Sequence, residues 1–145
     1  MCIYIADNYN LHINAGGDKH YIGGIWYEAD NSTSNFYVNE PAYNWAYSCN
    51  GHFYGASMAD SREFVQRVAC EAAVTGASLY DEARLCPNSL KYYGFCLRNG
   101  NYNISLYFSE IVFVKNDDYS SSGKRVFDIY IQVGTLATKF FNNFN

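Results

Sequence analysis

Phe127-Asp128-Ile129-Tyr130-Ile131-Gln132-Val133 places an apolar side chain at every second position. Period two is the period of a pleated strand with one face buried. The same alternation runs through Tyr102, Ile104, Leu106 and Phe108, with Asn103, Ser105 and Tyr107 between them, directly after the turn pair Asn99-Gly100. Beyond Phe108 the apolar parity moves to Ile111 and Phe113, which predicts a bulge or bend near Glu110. Shorter strand candidates lie upstream at Leu11–Asn14, Ile25–Tyr27 and Asn44–Ser48. Gly16-Gly17, Gly23-Gly24 and Asn50-Gly51 supply turns, and Asn31 to Asn39 reads as a polar loop. Many short strands punctuated by turns predict an all-β, antiparallel β-sandwich. One stretch departs from this pattern. Asp60 with Glu63 forms a capping box, and Phe64, Val68 and Ala72 recur every four residues up to Gly76. That spacing predicts a short helix over 61–74.

Composition agrees with an aromatic-rich β protein. The 145 residues fit one domain, and 15 Tyr, 10 Phe and 2 Trp make up 19% of them. The 16 Asn suit turns, and 17% charged residues is too few for a disordered chain. Ten scattered cations against a net charge of −4 form no basic stripe, which argues against nucleic acid as a partner. No apolar run reaches the roughly 18 residues of a membrane helix, and Met1–Asp7 lacks the layout of a signal peptide. Cys2, Cys49, Cys70, Cys86 and Cys96 show no C-x-x-C spacing, so no zinc site is expected. They read equally as buried small hydrophobes or as a disulfide framework with one thiol left over.

Catalytic motifs are missing from the sequence. His12, His20 and His52 belong to no metal-ligand or nucleophile pattern, and phosphate-binding and dinucleotide fingerprints are absent. Glu110 sits in an apolar stretch, where a partner such as Arg125 would make it a structural ion pair rather than a catalyst. Asp117-Asp118 reads as a solvated loop. The reading is therefore of a non-enzyme, with no metal and no cofactor. Binding through aromatics fits better. Tyr92-Tyr93-Gly94-Phe95, Trp26-Tyr27 and Tyr43-Asn44-Trp45 set rings beside small and amide residues. A flat ring covers the C–H face of a sugar while neighbouring amides and carboxylates bond its hydroxyls. Ordinary core packing competes with this for every single ring. The sequons Asn31-Ser32-Thr33 and Asn103-Ile104-Ser105 are candidate glycosylation sites. Asn31 is expected in a loop and Asn103 in a strand, so Asn31 is expected to be the better acceptor.

Ile13-Asn14-Ala15-Gly16-Gly17, Asn44–Ser48, Tyr92-Tyr93-Gly94-Phe95-Cys96-Leu97, Asn99-Gly100-Asn101-Tyr102 and Arg125–Gln132 occur in one order. In that order they resemble malectin and malectin-like domains, above all those in the ectodomains of plant leucine-rich-repeat receptor kinases. The resemblance runs from about Leu11 to the carboxyl end. It implies a lectin-type, jelly-roll sandwich over 11–145, preceded by an amino-terminal extension, 1–10. It implies a non-catalytic carbohydrate-binding module of an extracellular or plasma-membrane receptor, with an oligosaccharide or cell-wall glycan as partner and other receptor ectodomains as further partners. The alternative is a protein-interaction module without a sugar site. By position Tyr27, Trp45, Tyr92 and Tyr93 look like the family's ligand rings, with a Trp at 45 where a Tyr is expected. Ala15 stands where plant relatives commonly carry Cys, which implies a lost disulfide and a free Cys96. The family continues beyond Asn145, so the resemblance implies that the last strands are missing. The Phe127–Val133 face is then left uncovered, beside exposed rings at Phe140, Phe141 and Phe144.

Overall fold

The computed structural model describes residues 8–51, 65–67, 79–108, 125–132 and 134–141. Among the described residues ten strands account for the regular structure and no helix occurs. They are β1 (Ile13–Ala15), β2 (His20–Ile22), β3 (Ile25–Asp30), β4 (Phe36–Val38), β5 (Trp45–Asn50), β6 (Val65–Arg67), β7 (Glu82–Arg84), β8 (Ser89–Gly94), β9 (Arg125–Ile131) and β10 (Gly134–Phe141). The fold is all-β and antiparallel-rich, as a malectin-like sandwich requires.

β5 is the middle of a sheet ordered β4-β5-β8, antiparallel on both sides. A strand flanked on both edges and packed on both faces should be apolar throughout. Trp45, Ala46, Tyr47 and Cys49 are accordingly all buried. A second sheet, β1-β3-β2, joins β1 in parallel to β3 and turns β3 back on β2 through Gly23-Gly24. Those glycines have φ of 59° and 87°, the left-handed pair that a tight two-residue hairpin needs. Gly16, at φ 91°, brings the end of β1 against β7: a Cβ there would sit 2.2 Å from the Ala83 carbonyl carbon. Cys49 of β5 is disulfide-bonded to Cys86, which follows β7, with 5.6 Å between their Cα atoms. Closing a 37-residue separation in this way stabilises the fold by about 4 kcal/mol on a chain-entropy argument.

Several expectations need correction. Val65–Arg67 lies inside the stretch with helical spacing but forms β6, antiparallel to β7, with Val65 opposite Arg84. The open edge of β7 outweighs a propensity of a few tenths of a kcal/mol per residue. The rest of 61–74 lies outside the described residues. Within the expected loop at 31–39, Phe36-Tyr37-Val38 forms β4, because three β-formers beside β5 complete its sheet. Tyr102–Phe108 is exposed and forms no strand with the other described residues. Alternation supplies a face, but a strand needs a neighbour, and no described strand lies alongside. Cys96 is disulfide-bonded rather than free. The stretch after Phe127 does form β9, with Phe127, Ile129 and Ile131 half-buried and Asp128 and Tyr130 exposed. Its backbone is paired, because β10 returns along it with Phe140 opposite Val126 and Phe141 opposite Arg125. Glu110, Asp117, Asp118, His52 and Phe144 lie outside the described residues.

Candidate functional site

β3 carries two carboxylates, Glu28 and Asp30, two residues apart and so on one face of the strand. Asp30 is fully buried and is met by Arg84 from β7. Arg84 Nε donates to Asp30 Oδ2 at 2.7 Å, and Nη2 donates to Oδ1 at 2.7 Å. Nη2 also donates to the backbone carbonyls of Asp30 and Ser32, each at 2.8 Å. The Tyr92 hydroxyl of β8 donates to Asp30 Oδ2 at 2.5 Å. One guanidinium and one phenol thus tie three strands to a single carboxylate. Glu28 repeats the arrangement one turn of the pleat away. Its carboxylate accepts from Asn39 Nδ2 at 2.8 Å, Asn44 Nδ2 at 3.0 Å and Trp45 Nε1 at 2.5 Å.

Rings pack over this polar layer. Tyr37, Tyr47 and Tyr92 stand opposite one another across β4, β5 and β8, with centroids 6.1 and 6.0 Å apart. Trp45 lies 6.2 Å from Tyr92, and the Arg84 guanidinium sits 3.9 Å over the Tyr47 ring. Burial pushes the Asp30 carboxyl above the usual carboxylate range, and the bonds from Arg84 and Tyr92 pull against it. Burial lowers Arg84, yet the Asp30 carboxylate more than offsets this and leaves it raised. Burial and then the Asp30 charge hold the Tyr92 phenol far above its ordinary value, and burial raises Tyr47 as well. Tyr92 still shows 36% of its surface, because its ring edge is open while its hydroxyl is buried on Asp30.

The four rings singled out in the sequence do not share one rim. Trp45 is fully buried beside Tyr92. Tyr93 is exposed on the reverse face of the β5–β8 pair, its hydroxyl 3.4 Å from Ser48 Oγ. Tyr27 is half-buried and points away from Glu28 and Asp30, 5.5 Å from the His12 ring. The register sets Tyr27 directly across from His20. His20, Asn14, Asp18, Asp81 and Glu82 line a recess of about 170 Å³. Tyr27 therefore shares a face of the β2–β3 pair with His20, one of the residues that line the recess. Asn31 and Asn103 are both exposed, and Asn31 Nδ2 donates to Asp18 Oδ1 at 2.5 Å. Among the described residues no group of His, Cys, Asp and Glu is placed to hold a metal ion.

Sequence reasoning missed Asp30, Arg84 and Glu28. Asp30 ends a strand directly before a sequon, and Arg84 lies outside every motif.

Strands, buried ion pair and polar recess together define an all-β sandwich module. The chain belongs to the malectin domain family, whose model matches residues 9–144. A probable LRR receptor-like serine/threonine-protein kinase of Arabidopsis thaliana is 41% identical over 132 residues, covering 91% of this chain and 14% of that protein. Another from the same plant is 39% identical over 140 residues, again 14% of its length. A third is 36% identical over 137 residues and 13% of its length. The chain thus spans about one seventh of the length of the curated relatives it matches. No solved structure gives a significant match.

Proposed function

We propose that the chain is a carbohydrate-binding module of a receptor-kinase ectodomain, exposed at the cell surface and reading an oligosaccharide or cell-wall glycan. The observation that carries the sugar reading is the Tyr27 ring directly across from His20, which lines a recess with Asn14, Asp18, Asp81 and Glu82. A ring beside acceptors and donors is what a pyranose needs, with its C–H face on the aromatic and its hydroxyls on the polar rim. In this reading Tyr92 and Tyr93 offer open ring surface on two faces, and Trp45 supports Tyr92 from beneath. The disulfides at Cys49–Cys86 and Cys96 support a secreted location, since such bonds persist in oxidising compartments. The similarity to receptor-like kinases supports the receptor setting.

The second reading, a protein-interaction module without a sugar site, draws on Trp45, which is fully buried, and on Tyr92, whose hydroxyl is committed to Asp30. Ligand-observed NMR with glucose disaccharides separates the two. The sugar reading expects weak saturable binding that Tyr27→Ala abolishes and Trp45→Phe leaves intact. No binding by the native chain favours the interaction reading, and unchanged binding in Tyr27→Ala takes Tyr27 out of the sugar site. As glycan acceptors, Asn31 and Asn103 are now on equal footing, because Asn103 is exposed and outside any strand. Glycopeptide mass spectrometry of the secreted chain is expected to find Asn103 occupied at least as fully as Asn31, whose amide is already bonded to Asp18.

A further inference from the structure

Two Asn-Gly pairs, Asn50-Gly51 and Asn99-Gly100, are the same in sequence and are held very differently in the fold. An asparagine before a glycine cyclises when the glycine backbone nitrogen reaches the side-chain amide carbon. That needs an unbonded nitrogen and a backbone free to turn, and glycine has no Cβ to obstruct the approach. Asn50 is the last residue of β5, opposite Ser89 of β8. Its carbonyl accepts from Asn88 N at 3.1 Å, and its Nδ2 donates to Ser89 Oγ at 3.3 Å. Gly51, at φ 107°, is packed so closely that a Cβ would lie 3.0 Å from Pro87 and Asn88. Cys49, next to Asn50, is bonded to Cys86. Turning the Asn50–Gly51 peptide therefore means opening this end of the sheet.

Asn99 and Gly100 are exposed and make no hydrogen bond to another described residue. A Cβ on Gly100 would meet nothing within 4 Å. The flanks are tied while the pair is not. Leu97 bridges Asn8, Arg98 N donates to the Asn8 carbonyl at 3.3 Å, and the Tyr102 hydroxyl donates to the Arg98 carbonyl at 2.6 Å. We propose that Asn99-Gly100 is a modification site at which the folded chain converts its own amide to a carboxylate, with water as the co-reactant. Gly100 N gives its proton to solvent base and bonds to Asn99 Cγ, and the side-chain nitrogen leaves as ammonia. Water then opens the resulting succinimide at either carbonyl. Position 99 becomes an aspartate joined onward through its α- or its β-carboxyl, with no change of oxidation state. The product sets a negative charge beside Arg98, whose guanidinium lies 4.6 Å over the Tyr9 ring, in a chain already at −4. The β-linked form also lengthens the backbone by a methylene in the turn that leads to Asn103.

Peptide mapping by mass spectrometry tests this on the folded, oxidised chain aged in mildly alkaline buffer. Asn99 is expected to convert at least about tenfold faster than Asn50, because the strand end must open before Asn50 can react. In the reduced and unfolded chain the two pairs are expected to convert at similar rates, since their sequences are alike. Gly100→Ala finds open space, so it is expected to leave the melting temperature unchanged. Its methyl obstructs the attacking nitrogen, and conversion at position 99 is expected to slow at least about tenfold. Equal rates at Asn50 and Asn99 in the folded chain overturn the proposal. So does a Gly100→Ala chain that ages at position 99 as fast as the native one.

Discussion

Asp30 concentrates the energetics of the described core in one side chain. It accepts from Arg84 and Tyr92 while fully buried, so removing it strands a guanidinium without water. Breaking one side of such a pair costs about 3–5 kcal/mol, whereas replacing both partners with apolar residues of similar volume is close to neutral. Asp30→Ala is therefore expected to lower unfolding free energy by about 3–5 kcal/mol. The double change Asp30→Leu with Arg84→Met should recover most of it, as read from urea denaturation. Tyr92 sets the response to alkali. Its folded phenol is raised by burial and by the Asp30 charge, and Tyr47 is raised by burial. A group raised in the folded state contributes stability that is complete below its unfolded value, near 10, and is lost as pH climbs beyond it. Phenolate absorbance is thus expected to show Tyr47 and Tyr92 ionising only in a cooperative step with unfolding. Tyr92→Phe should shift that step.

At the level of elements, legibility followed the range of the forces involved. β9 was readable because alternation is encoded in the strand itself, and the half-buried Phe127, Ile129 and Ile131 match it. β5 was readable from Asn44–Ser48. The glycine hairpin at Gly23-Gly24 was readable from backbone sterics alone. β6 and β4 were not, since both exist because a neighbour offers an edge, and an edge leaves no mark in the local sequence. The same gap hid the candidate site: the Asp30–Arg84 bond joins residues 54 apart, and Tyr27 comes opposite His20 only through strand pairing. Gly16 supplies a test at this scale. A methyl there strikes the Ala83 backbone and must also adopt φ 91°. Gly16→Ala is expected to cost about 2–4 kcal/mol by combining overpacking with left-handed strain. Thermal melts check this, with Gly23→Ala, where the space around the Cβ is open, as the milder comparison.

For the molecule as a whole, two long-range ties share one short segment. Arg84 reaches Asp30, and Cys86 reaches Cys49, so the stretch around β7 is fastened to both β3 and β5. Cys86→Ser is expected to lower stability by about 4 kcal/mol in the chain-entropy account, measured by denaturant titration against the native chain under oxidising conditions. The Cys49–Cys86 bond also changes what a broken backbone means. A protease that cuts the chain once anywhere between those two cysteines releases nothing: the halves stay joined through sulfur, with β5 and β8 still side by side. Such a nicked molecule runs as one band on a gel until a thiol is added, and then as two.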